Sequence, residues 1–351
     1  MAKRNLSRRQ QWRIQKIQDE RLARAANKQK KITDNYNQLD DTLHHGTIVS
    51  NFGATLDIED EETALIIRCA LRQNIETIVC GDKIVWQKLN NIPEEEQIQG
   101  VITALKPRKT VLARPDFTRQ MKPVAANIDQ LLIVTSPVPE LNEGLIDRYL
   151  VAAELSHIQP ILVLNKVDTL SDEQREVLER RLKVYQDIGY PIIYTSAKSQ
   201  HGMDSLLEQL EDKVSVFVGQ SGVGKSSLIN ALLPDANIKE GEVSLATSKG
   251  THTTSVSRLY HINSQQQSHI IRQASLIDSP GVREFGLWAI NKSDVIHGFI
   301  ELHQQTQYCH FRDCKHINEP NCGLLKALDE GIISKQRLDS YHRIVDSVEA
   351  K

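Results

Sequence analysis

The chain has no long apolar run. Of its 351 residues 40% are hydrophobic, yet no stretch approaches the roughly 18 apolar residues of a bilayer-spanning helix. A membrane-spanning helix is therefore not expected. The amino-terminal segment is polar and basic and carries no apolar signal-peptide core, so the expectation is a soluble, cytoplasmic protein. Cysteine is scarce: there are five, an odd number, which argues against a disulfide scaffold. No internal repeat is found. The length points to two or three domains.

Charge is present but unevenly placed. The formal net charge is −2, yet residues 1–31 carry Lys3, Arg4, Arg8, Arg9, Arg13, Lys16, Arg21, Arg24, Lys28, Lys30 and Lys31 against only Asp19 and Glu20. That segment is +9 and leaves −11 on the rest. A basic arm on an acidic body favours a polyanionic partner such as RNA or DNA. It lacks the apolar stripe of a membrane-surface helix.

From about His44 to Pro115, short alternating apolar runs recur: Gly46-Thr47-Ile48-Val49, Ala64-Leu65-Ile66-Ile67, Ile84-Val85-Trp86 and Gly100-Val101-Ile102, with Gly53, Gly81 and Pro93 between them. In about seventy residues, this predicts a five-stranded oligonucleotide-binding (OB) type barrel. From about Pro123 to Trp288 the pattern becomes strand then helix. Expected strands are 128–134, 161–164, 192–195, 214–218, 256–260 and 270–277; expected helices are 145–155, 171–188, 203–210 and 225–233. That is a doubly wound α/β sheet. Residues 289–351 read as mainly helical. The expected division is a basic, flexible arm over 1–38, the barrel over 39–115, the α/β domain over 116–288 and a helical metal-binding domain over 289–351.

Five motifs carry chemistry in the α/β region. Gly219-Gln220-Ser221-Gly222-Val223-Gly224-Lys225-Ser226, followed by Ser227, has the spacing of a phosphate-binding loop between a strand and a helix. Its glycines let backbone N–H groups converge on phosphate oxygens. Lys225 places charge on the β- and γ-phosphates, and the Ser226 hydroxyl suits Mg²⁺. Asn165-Lys166-Val167-Asp168 ends a buried strand and reads guanine. Asp168 accepts both donors of the guanine edge, which adenine cannot supply, and the Lys166 stem can cover the purine. Asn165 braces the loop. Ser196-Ala197-Lys198 ends the next strand, where the Ala197 N–H can meet the guanine carbonyl. Asp278-Ser279-Pro280-Gly281 supplies a second Mg²⁺ contact through Asp278 and a γ-phosphate sensor through the Gly281 N–H. Between them, Gly250-Thr251-His252-Thr253-Thr254 offers Thr253 or Thr254 to complete the Mg²⁺ shell. Sequence does not choose between the two.

Cys309, Cys314 and Cys322 cluster with His316 in the pattern Cys-x4-Cys-x-His-x5-Cys. Three thiolates and one imidazole form a closed structural Zn²⁺ set. His310 is an alternative imidazole. Cys69 and Cys80 fall in strand-like text and are read as small core residues.

The nucleotide motifs come in the order base reader, base brace, phosphate loop, first switch, second switch. With a barrel before them and a metal cluster after, this resembles the ribosome small subunit-dependent GTPase A family of circularly permuted GTPases, over roughly residues 40–340. The resemblance implies GTP hydrolysis to GDP with Mg²⁺ and one Zn²⁺, the latter on Cys309, Cys314, His316 and Cys322. It also implies binding to the small ribosomal subunit and its rRNA late in maturation, with a monomer expected. Val282 follows Asp-Ser-Pro-Gly where many relatives of ordinary GTPases carry a water-orienting glutamine, so His252 is the candidate for that work. The competing readings are an RNA-binding module with GTP as a structural ligand and a permuted GTPase of the large subunit.

Overall fold

The computed structural model describes residues 39–53, 55–72, 75–90, 97–115, 120–233, 257–262, 274–278 and 290–349. The basic arm over 1–38 lies outside them. The chain divides into two compact units. One runs to Ile78 and resumes over Lys83–Pro107; the other holds Val79–Asp82 and the chain from Arg108 onward.

The first unit is a small barrel. Its strands are β1 (His44–Asn51), β2 (Thr55–Asp60), β3 (Ile66–Leu71), β4 (Lys83–Lys88) and β5 (Gly100–Leu105). β1 pairs antiparallel with β2 and β4, β2 with β3, and β4 with β5, while β3 and β5 run parallel. The pairing returns from β4 to β1, so the five strands close, and closure removes the exposed edges of an open sheet. Along β2, burial alternates residue by residue, placing Leu56 and Ile58 inside with Ile48, Ile84, Trp86 and Ile102. The Trp86 indole N–H donates to Asp60 Oδ2 at 3.2 Å, satisfying the one polar atom that ring carries inward. The alternating runs of the sequence correspond to four of these strands. β2 escaped because Asp57, Glu59 and Asp60 are poor strand formers and leave Leu56 and Ile58 as its only apolar residues.

The second unit opens with a hairpin of β6 (Val111–Pro115) and β7 (Met121–Ala126). Then follow β8 (Gln130–Thr135), α1 (Glu143–Leu155), β9 (Gln159–Leu164), α2 (Asp172–Ile188), β10 (Ile192–Tyr194), α3 (Met203–Leu210), β11 (Val214–Gly219), α4 (Lys225–Leu232), β12 (Arg258–Ile262) and β13 (Ala274–Asp278). In space the strands run β10-β9-β8-β11-β13-β12. All neighbours are parallel except β12, which pairs antiparallel with β13. β12 ends two residues beyond the expected 256–260, and of the strand expected over 270–277 the described residues 274–277 lie in β13.

Leu132, Val134, Ile161, Val163 and Phe217 point to one face, where Met203, Leu206 and Leu210 of α3 and Leu228, Ile229 and Leu232 of α4 cover them. The pleat sends the alternate residues to the other face. There α1 lies against β8, β9 and β11. α2 sits beside α1, held by Arg181 Nε on Glu143 Oε1 at 2.7 Å. Helices thus cover both faces, as expected. α2 begins on a reciprocal Ser171–Gln174 capping box and ends at Gly189, the start and stop its sequence announces.

The carboxyl-terminal part is a 3₁₀ turn over Lys292–Gly298, then α5 (Ile300–Thr306), α6 (Gly323–Asp329) and α7 (Lys335–Glu349). Among the described residues no helix is long and apolar enough to cross a membrane.

Candidate nucleotide site and metal cluster

The chain winds outward from β8 to β9 and β10, then returns to β11 on the other side of β8 and continues to β13. The sheet therefore has a switch point between β8 and β11, where ligands of such sheets bind beyond the carboxyl ends of the strands. The motifs that are separated in sequence leave from that edge. Asn165 follows β9, Thr195 and Ser196 follow β10, the glycine-rich loop follows β11, and Asp278 ends β13.

The loop after β11 is held in a conformation that needs glycine at its ends. Gly219 has φ +137°, and a Cβ there would meet the Val134 carbonyl oxygen at 2.2 Å. Gly224 has φ +96°, and its Cβ would meet Asn165 Nδ2 at 2.3 Å. Gly224 is also the N-cap of α4 and offers no side chain, so the first-turn N–H groups of that helix stay open to an anion. Lys225 is nearly buried and folds back over the loop. Its Nζ donates to the carbonyls of Gly219 and Gln220 at 2.8 and 2.7 Å. Gln220, Ser221 and Gly222 are exposed, Val223 is buried in the core beneath, and Ser226 and Ser227 are half-buried in the first turn of α4.

Asn165 ties three loops together. It is buried, its Nδ2 donates to the Val223 carbonyl at 3.0 Å, and its Oδ1 accepts from Thr195 Oγ1 and the Ala197 N–H, both at 3.4 Å. Lys166 sits at φ +63° and sends its Nζ to the carbonyls of Val138 and Gly222, at 2.8 and 2.6 Å. Its stem spans from the base-reading loop to the phosphate loop. Asp168 is exposed, and its Oδ1 accepts from Ser196 Oγ at 2.6 Å. Ser196 in turn accepts the Ser199 N–H at 3.0 Å. One carboxylate oxygen is thereby fixed, which orients the group that would face guanine. Lys198 is exposed at the rim.

Two partners were not legible in the sequence. Val138 belongs to a loop after β8 that matches no nucleotide motif; only Pro137 and Pro139, following a buried strand, mark it as a shaped turn. Ser196 was read as part of a base-contacting triplet, whereas its hydroxyl holds Asp168. His252, Thr253, Thr254, Gly281 and Val282 lie outside the described residues. Asp278 is half-buried at the end of β13, which pairs with β11.

The metal cluster assembles as its spacing predicts. The ligand atoms of Cys309, Cys314, His316 and Cys322 all lie within 4.8 Å of one another. His316 Nδ1 is 3.6 Å from Cys309 Sγ and 3.5 Å from Cys322 Sγ. A tetrahedral Zn²⁺ with usual bond lengths would separate sulfur and nitrogen by about 3.6 Å, so the donor set fits that ion. Burial pushes the Cys314 thiol up to about 12, with Cys322 and Cys309 adding to the effect. A divalent cation would remove that penalty. Burial lowers the His316 pKa, which favours the neutral, ligating imidazole. The Gly323 N–H donates to Cys309 Sγ at 3.3 Å. The Glu319 carboxylate accepts the N–H groups of Lys315, Ile317 and Asn318 and falls to about 2. His310, the alternative imidazole, is not in the cluster; its ring packs edge-on against Phe311 at 4.8 Å.

Residues 105–288 match the RsgA GTPase family. The small ribosomal subunit biogenesis GTPase RsgA of Ectopseudomonas mendocina (strain ymp) is 47% identical over 352 residues, covering 99% of this chain and 98% of its own length. The protein of the same name from Pseudomonas putida (strain F1) is 48% identical over 352 residues, with the same coverage. Among solved structures, YjeQ from Thermotoga maritima aligns with a TM-score of 0.70 at 29% identity, over 88% of this chain and 100% of that one. YloQ, described as a circularly permuted GTPase, aligns with a TM-score of 0.68 at 26% identity, over 88% of this chain and 96% of its own. With its barrel, its permuted loop order and its near full-length likeness to these relatives, the chain belongs to the RsgA GTPase family.

Proposed function

We propose that this GTPase binds the small ribosomal subunit and its rRNA, hydrolyses GTP to GDP and phosphate when docked, and so drives its own release late in subunit maturation. The observation that carries this reading is the 47% identity to a small ribosomal subunit biogenesis GTPase over 99% of the chain. It acts as a cytoplasmic monomer. The working parts are a basic arm over 1–38, a barrel over 39–115, a permuted GTPase domain over 116–288 and a zinc-binding helical domain over 289–351.

Asp168, steadied by Ser196, reads guanine, with the Lys166 stem and the Ala197 N–H on the purine. The N–H groups of residues 219–226 and the Lys225 ammonium take the phosphates; an arriving anion replaces the two carbonyls that Lys225 now holds. Ser226, Asp278 and one of Thr253 or Thr254 hold Mg²⁺, which neutralises charge between the β- and γ-phosphates. His252 orients the attacking water in place of the missing glutamine, and the Gly281 N–H senses the γ-phosphate. Cys309, Cys314, His316 and Cys322 hold one Zn²⁺ as a structural brace.

The test is multiple-turnover phosphate release from GTP with small subunits, large subunits or neither. Stimulation by small subunits alone is expected. Equal rates in all three would sink the reading. His252→Ala should lower stimulated turnover by about 10²-fold or more while GTP affinity stays near wild type; unchanged turnover would remove His252 from the mechanism.

A further inference from the structure

The start of α1 and the middle of α7 meet around a cavity of about 320 Å³. Asn142, Gly144, Leu145 and Arg148 line it from the first helix, and Ser340 and Arg343 from the second. Spacing brings these residues together. Arg148 stands four residues after Gly144, and Arg343 three after Ser340, so each pair shares one face of its helix. Two arginines thus reach one cavity from different helices.

Their charge has no local counterpart. Arg148 is half-buried and Arg343 exposed, and neither is in an ion pair among the described residues. Arg343 donates from Nε to the Asp339 carbonyl at 3.3 Å. The neighbouring acids on both helices already hold other cations: Glu143 is on Arg181, Asp147 on Arg337 and Asp339 on Lys335. Arg343 acts on the Glu143 carboxyl only through space.

The cavity floor supplies a further donor. Ser340 is 1% exposed, and its hydroxyl has no hydrogen-bond partner. A serine within a helix can bond the carbonyl one turn back; this one does not, and a buried hydroxyl left unpaired is destabilising. The first turn of α1 lies at the same cavity and carries the partial positive charge of a helix N-terminus. Two guanidinium forks and a hydroxyl suit a tetrahedral oxyanion, whose oxygens only accept. A cation would meet like charge there, and an apolar group would leave Ser340 unpaired.

We propose that this cavity is an anion site distinct from the phosphate loop, and that it takes a phosphoryl group on Arg148, Arg343 and the Ser340 hydroxyl. None of residues 219–226 lines it. The phosphoryl group is that of free phosphate or of an RNA backbone. Bound there, it joins α1 to α7 next to the buried Arg337–Asp147 pair.

The test uses the full chain with saturating Mg–GDP, so that the phosphate loop is filled in every sample. The first arm follows the melting temperature as sodium phosphate replaces potassium chloride at fixed ionic strength. Wild type should be stabilised. Arg148→Gln and Arg343→Gln should need about tenfold more phosphate or beyond for the same rise, and Ser340→Ala about three- to tenfold more. Arg343 is exposed, so Arg343→Gln decides the matter should Ser340→Ala fail to fold. GTP turnover without subunits should stay at wild type in all three. The second arm measures small-subunit binding against salt concentration. Loss of one backbone-phosphate contact should reduce the slope of log affinity on log salt by about one. A change in the second arm, with or without the first, makes the occupant an RNA backbone phosphate; a change in the first alone makes it a free anion. Variants that match wild type in both arms overturn the proposal. Only the second arm rests on the small-subunit reading: a wild type that binds no small subunits ends that reading and leaves the first arm to decide.

Discussion

In the proposed reading, Asp168 is the carboxylate that selects guanine. Its Oδ1 is held by Ser196 Oγ at 2.6 Å, so the carboxylate is presented without being neutralised. Hydrogen bonds to a charged group contribute about 1.5–3 kcal/mol each. Asp168→Asn should therefore weaken GTP by about a hundredfold or more, and its new amide donor should favour a xanthine base, whose edge carries a carbonyl in place of the amine. Competition between GTP and XTP in a binding assay measures both. Ser196→Ala leaves the carboxylate in place but frees it to rotate. The expected result is a loss of GTP affinity of about three- to tenfold, with an unchanged melting temperature. A wild-type affinity would mean the serine only decorates the loop. The spacing of the base reader was visible in four letters; the serine's work was not, because Ser196 and Asp168 meet only when β9 and β10 pair.

At the scale of elements, the nucleotide site depends on tight junctions between loops rather than on any loop alone. Asn165 is the junction: its Nδ2 reaches the Val223 carbonyl at 3.0 Å, from one strand's end to another's. Gly224→Ala tests it. A methyl there would lie 2.3 Å from Asn165 Nδ2 on a backbone at φ +96°. The expected cost is about 1–3 kcal/mol of stability, together with loss of nucleotide binding, read by thermal denaturation and by GDP titration. A variant that melts and binds like wild type would show that the junction yields. Helix α2 and the phosphate loop were legible in the text because their signals are local: a capping box, a terminal glycine and a fixed glycine spacing. β2, β6 and β7 were not. The acids of β2 and the charges and prolines of β6 and β7 lower their strand propensity, so those strands depend on pairing with their neighbours.

For the whole molecule, the reversed motif order is resolved by the sheet. Strands β8, β9 and β10 carry the base-reading loops, β11 and β13 carry the phosphate side, and α3 joins the two halves. The permutation changes the connection, not the convergence. Gly281, the expected γ-phosphate sensor, and the residues up to 289 that lead to the metal-binding segment follow β13 in the chain. Those residues lie outside the described part, whereas the buried Arg337–Asp147 pair between α1 and α7 lies within it. At this scale the cluster itself is testable. Cys322→Ser, or removal of metal by a chelator, should take bound zinc from about one per chain to none and lower the melting temperature, since such sites contribute folding energy directly. Metal analysis beside calorimetry would detect it; an unchanged melting temperature would make the cluster dispensable.

What could be read without coordinates was local chemistry: the phosphate loop, the guanine reader, the Cys/His spacing and the strand-helix alternation. Each depends on residues a few positions apart, where backbone geometry translates spacing directly into placement. What needed the tertiary structure was the contacts between distant segments: Ser196 on Asp168, Lys166 on Val138 and Gly222, and Arg337 on Asp147. The last of these partners are 190 residues apart. Their meeting depends on strand order and helix packing, which burial and hydrogen-bond satisfaction decide over the whole chain, so no short window of sequence contains it.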